Sequence, residues 1–155
     1  MAMWTHFADA APDIAAEATR LILARGDGEA ILATVRGDDL PRIHPVNVAI
    51  VDGRLYAFII ARSPKRLDLE TDGRYAIHTH QDPTAPSEVL LRGHARLVSD
   101  SREREQAAAD WAFTVDDSYA LFEFDIEIAL LGARPTADDW PPRYSSWKDP
   151  AVAAG

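Results

Sequence analysis

The fold is decided by residues 54–80, which read RLYAFIIARSPKRLDLETDGRYAIHTH. Arg54–Ala61 is an apolar run rich in aromatic and β-branched residues, and this composition predicts a strand. A helix should follow, because in the Ser-Pro pair at 63–64 the serine can cap free amides and the proline fits the first helical position. Gly73 should end that helix, and the run Tyr75–His80 predicts a second strand.

Four more short runs with the composition of strands surround this stretch. In the last of them, Phe122, Phe124 and Ile126 alternate with acidic residues, so one face of that strand should lie in the core. Turn formers separate the runs. Besides Arg54–Ala61 and Tyr75–His80, the predicted strands are Ala30–Arg36, Arg42–Val51, Val89–Ser99 and Tyr119–Leu131. Six short strands with marginal helices predict a mainly β protein, an antiparallel barrel or sandwich, because closing the sheet removes exposed edges.

The rest of the chain predicts two further helices and an irregular tail. Residues from about Asp9 to Arg25 carry apolar side chains at helical spacing, and Ser101 to about Ala112 is charged and rich in alanine. Residues 133–155 mix prolines with tryptophan and tyrosine, which should dock on another surface instead of staying in water. We expect a single domain over residues 1–155, with the barrel at about 29–132.

Composition restricts the classes of function. The formal net charge of −9 repels phosphate backbones and anionic lipids, so we expect no nucleic acid and no membrane as partners. The absence of cysteine excludes thiolate nucleophiles, iron–sulfur clusters and disulfides, so redox chemistry would need a bound cofactor. The longest apolar run is far shorter than the roughly 20 residues of a membrane helix, and no signal-peptide pattern opens the chain. We therefore expect a cytoplasmic protein.

The strongest chemical pattern is Arg62-Ser63-Pro64-Lys65-Arg66. A helix start at this point brings free backbone amides, a hydroxyl group and three cations into one small volume, which is typical of an anion site. Lys65 is one of only two lysines in the chain, so it does not belong to a general lysine-rich surface. The same residues also fit an ordinary capped surface helix, and both interpretations stay open at this point.

Three histidines raise the question of a metal. His78 and His80 lie on the same face of a predicted strand, and His94 lies on a neighbouring one. Such a set can bind zinc, iron or copper, but no carboxylate stands at a recognisable interval, so we predict hydrogen-bonded histidines and no metal site. Gly26-Asp27-Gly28 is not a dinucleotide motif, because Ile31 occupies the third glycine position and a helix precedes the run.

Several motifs occur in an order and spacing that resemble one known family. They are Leu32-Ala33-Thr34-Val35, Pro41-Arg42-Ile43-His44-Pro45-Val46, Ser63-Pro64-Lys65-Arg66-Leu67, Asp72-Gly73-Arg74-Tyr75-Ala76, Leu91-Arg92-Gly93-His94-Ala95-Arg96-Leu97-Val98, Phe122-Glu123-Phe124-Asp125, and Pro142-Arg143-Tyr144 with Trp147. From about Ala30 to Lys148, the chain resembles the pyridoxamine 5′-phosphate oxidase-like split-barrel family. The resemblance implies a six-stranded antiparallel split β-barrel, a homodimer, and a flavin, usually FMN, in each of two grooves at the dimer interface.

The resemblance also implies which residues bind the flavin. Members of this family hold the flavin phosphate with the serine and lysine that match Ser63 and Lys65. The second strand passes along the ring, and His44 stands where the vitamin oxidase has an arginine, so oxidase activity on a vitamin phosphate is not implied. The other implied contacts are Arg62 and Arg66 beside the phosphate, Pro45 and Val46 on the second strand, Ile59 and Ile60 on the third, and Trp147 over the ring. The isoleucines fit an ordinary core equally well, and the tail aromatics fit packing on the outside of the barrel.

The resemblance and these residues together predict an FMN-dependent oxidoreductase. Hydride would pass between a reduced nicotinamide and a small molecule, with the flavin supplying the chemistry and no catalytic residue assigned. Three alternatives stay open. The fold also uses the deazaflavin F420, and it serves non-catalytic flavin or haem binders in which His44, His78 or His94 would be the axial ligand. A metal-dependent barrel enzyme would use the histidines instead.

Overall fold

A computed structural model describes residues 3–24 and 26–153 of the chain. The strands are β1 (Glu29–Thr34), β2 (Arg42–Val51), β3 (Arg54–Ile60), β4 (Arg74–Thr79), β5 (Glu88–Leu97), β6 (Tyr119–Ala133) and β7 (Arg143–Lys148). The helices are α1 (Trp4–Ala10), α2 (Pro12–Leu23), α3 (Pro64–Thr71), α4 (Ser101–Ala109) and α5 (Pro150–Ala153). The protein is therefore mainly β, as predicted.

Six of the strands form a closed antiparallel barrel. Neighbouring strands follow the order β3-β2-β1-β4-β5-β6, and β3 pairs again with β6, where Ile60 lies opposite Tyr119. This pairing closes the sheet and leaves β7 outside the barrel, paired with β6 alone among the described strands. The prediction of a six-stranded antiparallel barrel is confirmed, and the sandwich alternative is wrong.

Alternating side chains fill the barrel interior. Phe122, Phe124 and Ile126 of β6 are completely buried, as the sequence pattern predicts, and so are Leu32 of β1 and Ile77 of β4. Burying one such side chain contributes about 1.5–3 kcal/mol. Packing of this kind gives the strands fixed positions, so residues at their ends are held in defined places.

The helix predicted over residues 9–25 is present as α2, and a second helix, α1, precedes it. The backbone of Ala11 is not helical, and this residue separates α1 from α2. On α1, Trp4 and Phe7 are buried in the core and pack edge to face, with ring centroids 5.2 Å apart. Arg25, the predicted last residue of the single helix, lies outside the described residues.

The other helices are short. After its capping residue Asp100, α4 continues to Ala109, slightly short of the predicted end near Ala112. Beyond it, Trp111 packs edge to face on Phe58 of β3, with ring centroids 4.8 Å apart, so this segment covers the outer side of the barrel. Within residues 3–24 and 26–153, no helix has both the length and the apolar character needed to span a bilayer.

The C-terminal segment is more regular than the sequence predicts. The region 133–155 is expected as an irregular aromatic tail, but Arg143–Lys148 form β7 and pair with the last part of β6. Five of the six residues of β7 are exposed, so this strand lacks the apolar alternation by which a half-buried strand is recognised. Residues 154–155 of the expected tail lie outside the described residues.

Candidate functional site

The start of α3 follows closely on β3 and carries the predicted anion motif. Ser63 is the N-cap: the backbone N–H of Arg66 donates to its hydroxyl oxygen at 3.4 Å. The same hydroxyl donates to the carbonyl of Ile60 at 2.7 Å. Ser63 thereby fixes the turn from β3 into the helix, and its hydroxyl would have to rotate to donate to a ligand.

Two nitrogen-bearing side chains near this helix start lack protein partners. Lys65 is partly buried, burial lowers the pKa of its amino group, and no carboxylate in the described part of the chain pairs with it. Nε2 of His44 on β2 is buried without a hydrogen-bond partner in the same described residues. Burial and the nearby charge of Lys65 lower the pKa of His44, while Asp68 opposes the shift and Arg42 adds to it. His44 is therefore mainly neutral at pH 7, and the unpaired cation near it is Lys65.

The strands β2 and β3 separate toward the start of α3. Their ladder covers only residues 48–51 and 54–57. Beyond it, residues 42–47 of β2 pair with β1, and residues 58–60 of β3 pair with β6. Within the described chain, the facing edges of these two segments have no strand partner, which leaves backbone N–H and C=O groups available to a ligand.

A buried carboxylate fixes α3 against the strands. Asp68 is completely buried and accepts hydrogen bonds from the Thr34 hydroxyl at 2.8 Å, from Nε of Arg36 at 3.0 Å and from Nε of Arg42 at 2.8 Å. Burial alone would raise the pKa of Asp68, but these hydrogen bonds outweigh it and hold the pKa below its ordinary value. Asp68 is therefore ionised at neutral pH and ties the helix to the end of β1 and the start of β2.

The same fold also occurs in solved structures. General stress protein 26 from Bacillus anthracis str. Sterne aligns over 85% of this chain and 97% of its own, with 19% identity and a TM-score of 0.59. A candidate pyridoxamine 5′-phosphate oxidase from Listeria innocua aligns over 73% of this chain and 94% of its own, with 21% identity and a TM-score of 0.55. The fold is the pyridoxamine 5′-phosphate oxidase-like split barrel.

The split barrel is also found in a heme binding protein from Mycobacterium smegmatis. That structure aligns with 90% of this chain and 60% of its own length, with 17% identity and a TM-score of 0.63. No known family profile and no curated protein matches the sequence. At such low identities the similarity establishes the fold, and the resemblance seen in the sequence motifs is confirmed at that level.

The predicted ring contacts on the second and third strands of the split barrel divide into two kinds. Val46 and Ile59 are buried in the core, so only their backbone can face a ligand. Pro45 is exposed, and Ile60 at the end of β3 has 51% of its surface exposed. The side chain of Ile59 thus has an ordinary core role, and the side chain of Ile60 does not.

The two arginines that flank the anion motif also differ. Arg62 is exposed in the turn before the cap. Nε of Arg66 lies 3.0 Å from a carboxylate oxygen of Glu70, one turn further along α3, which pairs the two charges although the N–H does not point at that oxygen and makes no hydrogen bond. The charge of Arg66 is therefore already paired within the helix, whereas Lys65 has no such partner in the described residues.

Trp147 lies on β7 and packs against α1. It stands opposite Ala129 of β6, and its ring centroid is 5.4 Å from that of Phe7 and 6.2 Å from that of His6. Within the chain, this tail aromatic thus packs on the outside of the barrel. Its contact with a flavin in an assembled dimer stays a prediction.

The histidines of the fourth and fifth strands pair with carboxylates. Nε2 of His78 lies 3.1 Å from Glu88, and Nδ1 of His94 lies 2.6 Å from Glu127. His80 follows β4 and is partly buried. Across residues 3–24 and 26–153, no three side chains of the metal-binding types converge.

Asp68 is the residue of this region that the sequence interpretation missed. In the sequence it stands between Lys65 and Glu70 in a charged helix, a pattern typical of a solvated face. Its burial depends on Arg36 and Arg42, which are 32 and 26 residues away. One signal was available: both arginines stand at the ends of predicted strands. A guanidinium at such a place needs a carboxylate partner if a helix covers it.

Proposed function

We propose that this split barrel binds a phosphorylated flavin, FMN, with the phosphate at the start of α3. The observation that carries the proposal is the partly buried Lys65, which has no carboxylate partner in the described chain although the protein has a net charge of −9. An anion beside Lys65 would supply the charge-assisted hydrogen bond that this amino group lacks. Ser63 would add its hydroxyl after turning away from the Ile60 carbonyl.

The flavin ring would lie along the opening between β2 and β3. The free backbone edge of residues 44–47 offers hydrogen bonds to the ring, and Nε2 of His44 offers one more, as donor or acceptor according to its tautomer. A bound flavin supplies hydride transfer between a nicotinamide and a small molecule. The residues of the chain bind the phosphate, orient the ring and exclude water, and none is assigned proton transfer.

The functional unit in this proposal is a cytoplasmic homodimer of single-domain chains. Large apolar side chains are exposed on the segments that border the opening, just before and at the start of β2, at the end of β3 and on α3: Leu40 (82%), Ile43 (73%), Ile60 (51%) and Leu67 (45%). Burying this surface against a second copy would remove it from water and would complete the groove from two subunits. Trp147 would then cover the ring.

Haem is the second candidate ligand. An axial ligand needs an imidazole nitrogen that is not already bonded, and Nε2 of His44 is such an atom, but it is buried and the ring would have to rotate to reach the iron. One structure with the same fold is a heme binding protein. The deazaflavin F420 carries a phosphate and would use the same contact with Lys65, so it is the third candidate.

Absorption spectra of the purified protein, combined with flavin titrations, test the proposal. We expect an FMN spectrum after reconstitution, and tighter binding of FMN than of riboflavin, because riboflavin lacks the phosphate. Equal affinity for the two flavins would overturn the phosphate site. A Soret band that His44→Ala abolishes would establish haem instead, and a deazaflavin spectrum would establish F420.

A further inference from the structure

Two arginines converge on one carboxylate beside the proposed phosphate site. Arg36 binds Oδ1 of Asp68 and Arg42 binds Oδ2, each through Nε. Neither contact uses the fork of two nitrogens with which a guanidinium holds a carboxylate most firmly. Within the described residues, the terminal nitrogens of Arg36 have no partner, and those of Arg42 have only Asp39, at 3.8 Å.

Both guanidinium groups are fixed in place and accessible to a ligand. Asp68 is completely buried and is also held by Thr34. The side chains of Arg36 and Arg42 are 38% and 35% exposed. Asp68 accepts from both arginines and is itself buried, and Asp39, whose side chain is 63% exposed, approaches only Arg42. The unused N–H groups of the two guanidinium groups have the planar arrangement that recognises phosphate and carboxylate oxygens.

Residues of β2 and α3 place the arginine pair near Lys65. Arg42 and His44 are two residues apart on β2, so their side chains lie on the same face. Lys65 and Asp68 are three residues apart on α3 and are therefore neighbours on the helix surface. The charges of Lys65, Asp68 and Arg42 all act on the pKa of His44, so His44 is near both cationic groups.

We propose that Arg36 and Arg42 form a second anion subsite, so that the ligand of this face carries two acidic groups, as a diphosphate does. The proposal rests on the proposed function for the first group, at Lys65. It extends that function, because FMN with its single phosphate would fill only half of the site. A flavin or another ligand with a diphosphate would engage both subsites.

Calorimetric titration of the full chain with inorganic phosphate and with pyrophosphate tests the second subsite without any flavin. We expect pyrophosphate to bind about ten-fold more tightly, the gain from one additional charge-assisted contact. The main variant is Arg36→Lys, which keeps a cation beside Asp68 and removes the guanidinium fork. It should lose most of that preference while its affinity for phosphate changes less than about two-fold. Arg92→Lys, at an exposed position of β5, is the matched control and should change neither affinity.

Equal affinity for the two anions in the unchanged protein would overturn the subsite, and so would equal effects of Arg36→Lys and Arg92→Lys. Arg42→Lys provides a second measurement at the other guanidinium in case Arg36→Lys does not fold. The flavin proposal fails separately: FMN and riboflavin would then bind equally while the preference for pyrophosphate persisted. That combination would assign the two anion subsites to a diphosphate ligand and would show that they do not hold the phosphate of FMN.

Discussion

Lys65 is the residue on which the flavin site depends most. Replacing Lys65 with alanine should weaken FMN binding by about 1.5–3 kcal/mol, the contribution of a hydrogen bond to a charged group, or roughly ten-fold to more than a hundred-fold in Kd. Riboflavin binding should not change, because riboflavin has no phosphate. Fluorescence titrations with both flavins measure the difference. Lys148→Ala on β7 is the control, since it removes the other lysine of the chain. An unchanged FMN affinity in Lys65→Ala would place the phosphate elsewhere.

His44 makes the stability of the ligand-free protein depend on pH. Burial and the charges of Lys65 and Arg42 lower its pKa below 6.5, the ordinary value that applies in the unfolded chain. The unfolded state therefore binds more protons below about pH 6.5, so the stability contributed by neutral His44 is complete above that pH and is lost as the pH falls. Urea unfolding at about pH 7 and about pH 5 should show a smaller loss for His44→Gln than for the parent protein. Equal losses would contradict this assignment.

At the scale of elements, α3 is held to the barrel by Asp68. Asp68→Ala removes the shared acceptor of Thr34, Arg36 and Arg42. It should destabilise the protein by about 3 kcal/mol. This is the low end of the range for a broken buried ion pair, because both arginines are partly exposed. Denaturant unfolding measures this change. Asp39→Ala is the control, since that carboxylate is 63% exposed and lies 3.8 Å from Arg42. A loss no larger than that of the control would mean that α3 is held by other contacts.

A second polar cluster holds α4 on the outer side of the barrel. Buried Glu123 accepts hydrogen bonds from Arg54 and Arg96, and the hydroxyl of Tyr56 donates to Glu103 of α4 at 2.7 Å. Burial, followed by the bond to Glu103, raises the pKa of Tyr56, so its hydroxyl keeps its proton at all ordinary pH values.

Tyr56→Phe removes the hydrogen bond from β3 to Glu103 of α4 and leaves the longer contact of Arg54 with the same carboxylate, at 3.9 Å. The expected cost is about 1–2 kcal/mol, because Arg96 still donates to Glu103. Thermal unfolding compares the variant with Tyr144→Phe, in which the same hydroxyl is removed from a residue with 61% exposure. The two variants should differ clearly in Tm. If they melt together, the bond to Glu103 contributes nothing measurable.

The elements that sequence patterns predict are those whose pattern arises within the element itself. Alternation along β6 and the Ser63-Pro64 start of α3 depend on neighbouring residues, and both were predicted correctly. β7 and α1 were not predicted, because β7 is an exposed strand held by its backbone pairing to β6, and α1 has only seven residues and no capping side chain. Their positions depend on surfaces that exist only after the barrel has formed.

In the candidate site, too, some features follow from a local sequence pattern and others depend on contacts between distant segments. Ser63 and Lys65 belong to one short motif, which the sequence displays directly. The buried carboxylate of Asp68, the free Nε2 of His44 and the separation of β2 from β3 arise from contacts between distant segments. No local pattern contains those contacts. The sequence could therefore suggest an anion site, but it could not predict the other residues that surround the site.

For the whole molecule, the main prediction is a homodimer formed through the exposed apolar surface near the opening. Ile43→Glu places a charge on this surface and should shift the protein toward monomers, because a buried unpaired carboxylate is unfavourable. Light scattering at micromolar concentration, with FMN present, measures the mass. Leu23→Glu is the control, since Leu23 is 58% exposed at the end of α2. A parent protein that is already monomeric would refute the dimer.

The pairing of β3 with β6 also affects how the chain reaches its native state. Ile60 meets Tyr119 across this seam, so the contact that closes the barrel joins residues far apart in the chain. Contacts of high sequence separation slow folding, and β-barrels of this kind fold in roughly milliseconds to seconds. While the ribosome is still making residues 119–133, β3 has no partner on that side, and the nascent chain is an open sheet with a bare edge. The barrel can therefore close only after β6 has been made, and until then the edge of β3 is open to pairing with other chains.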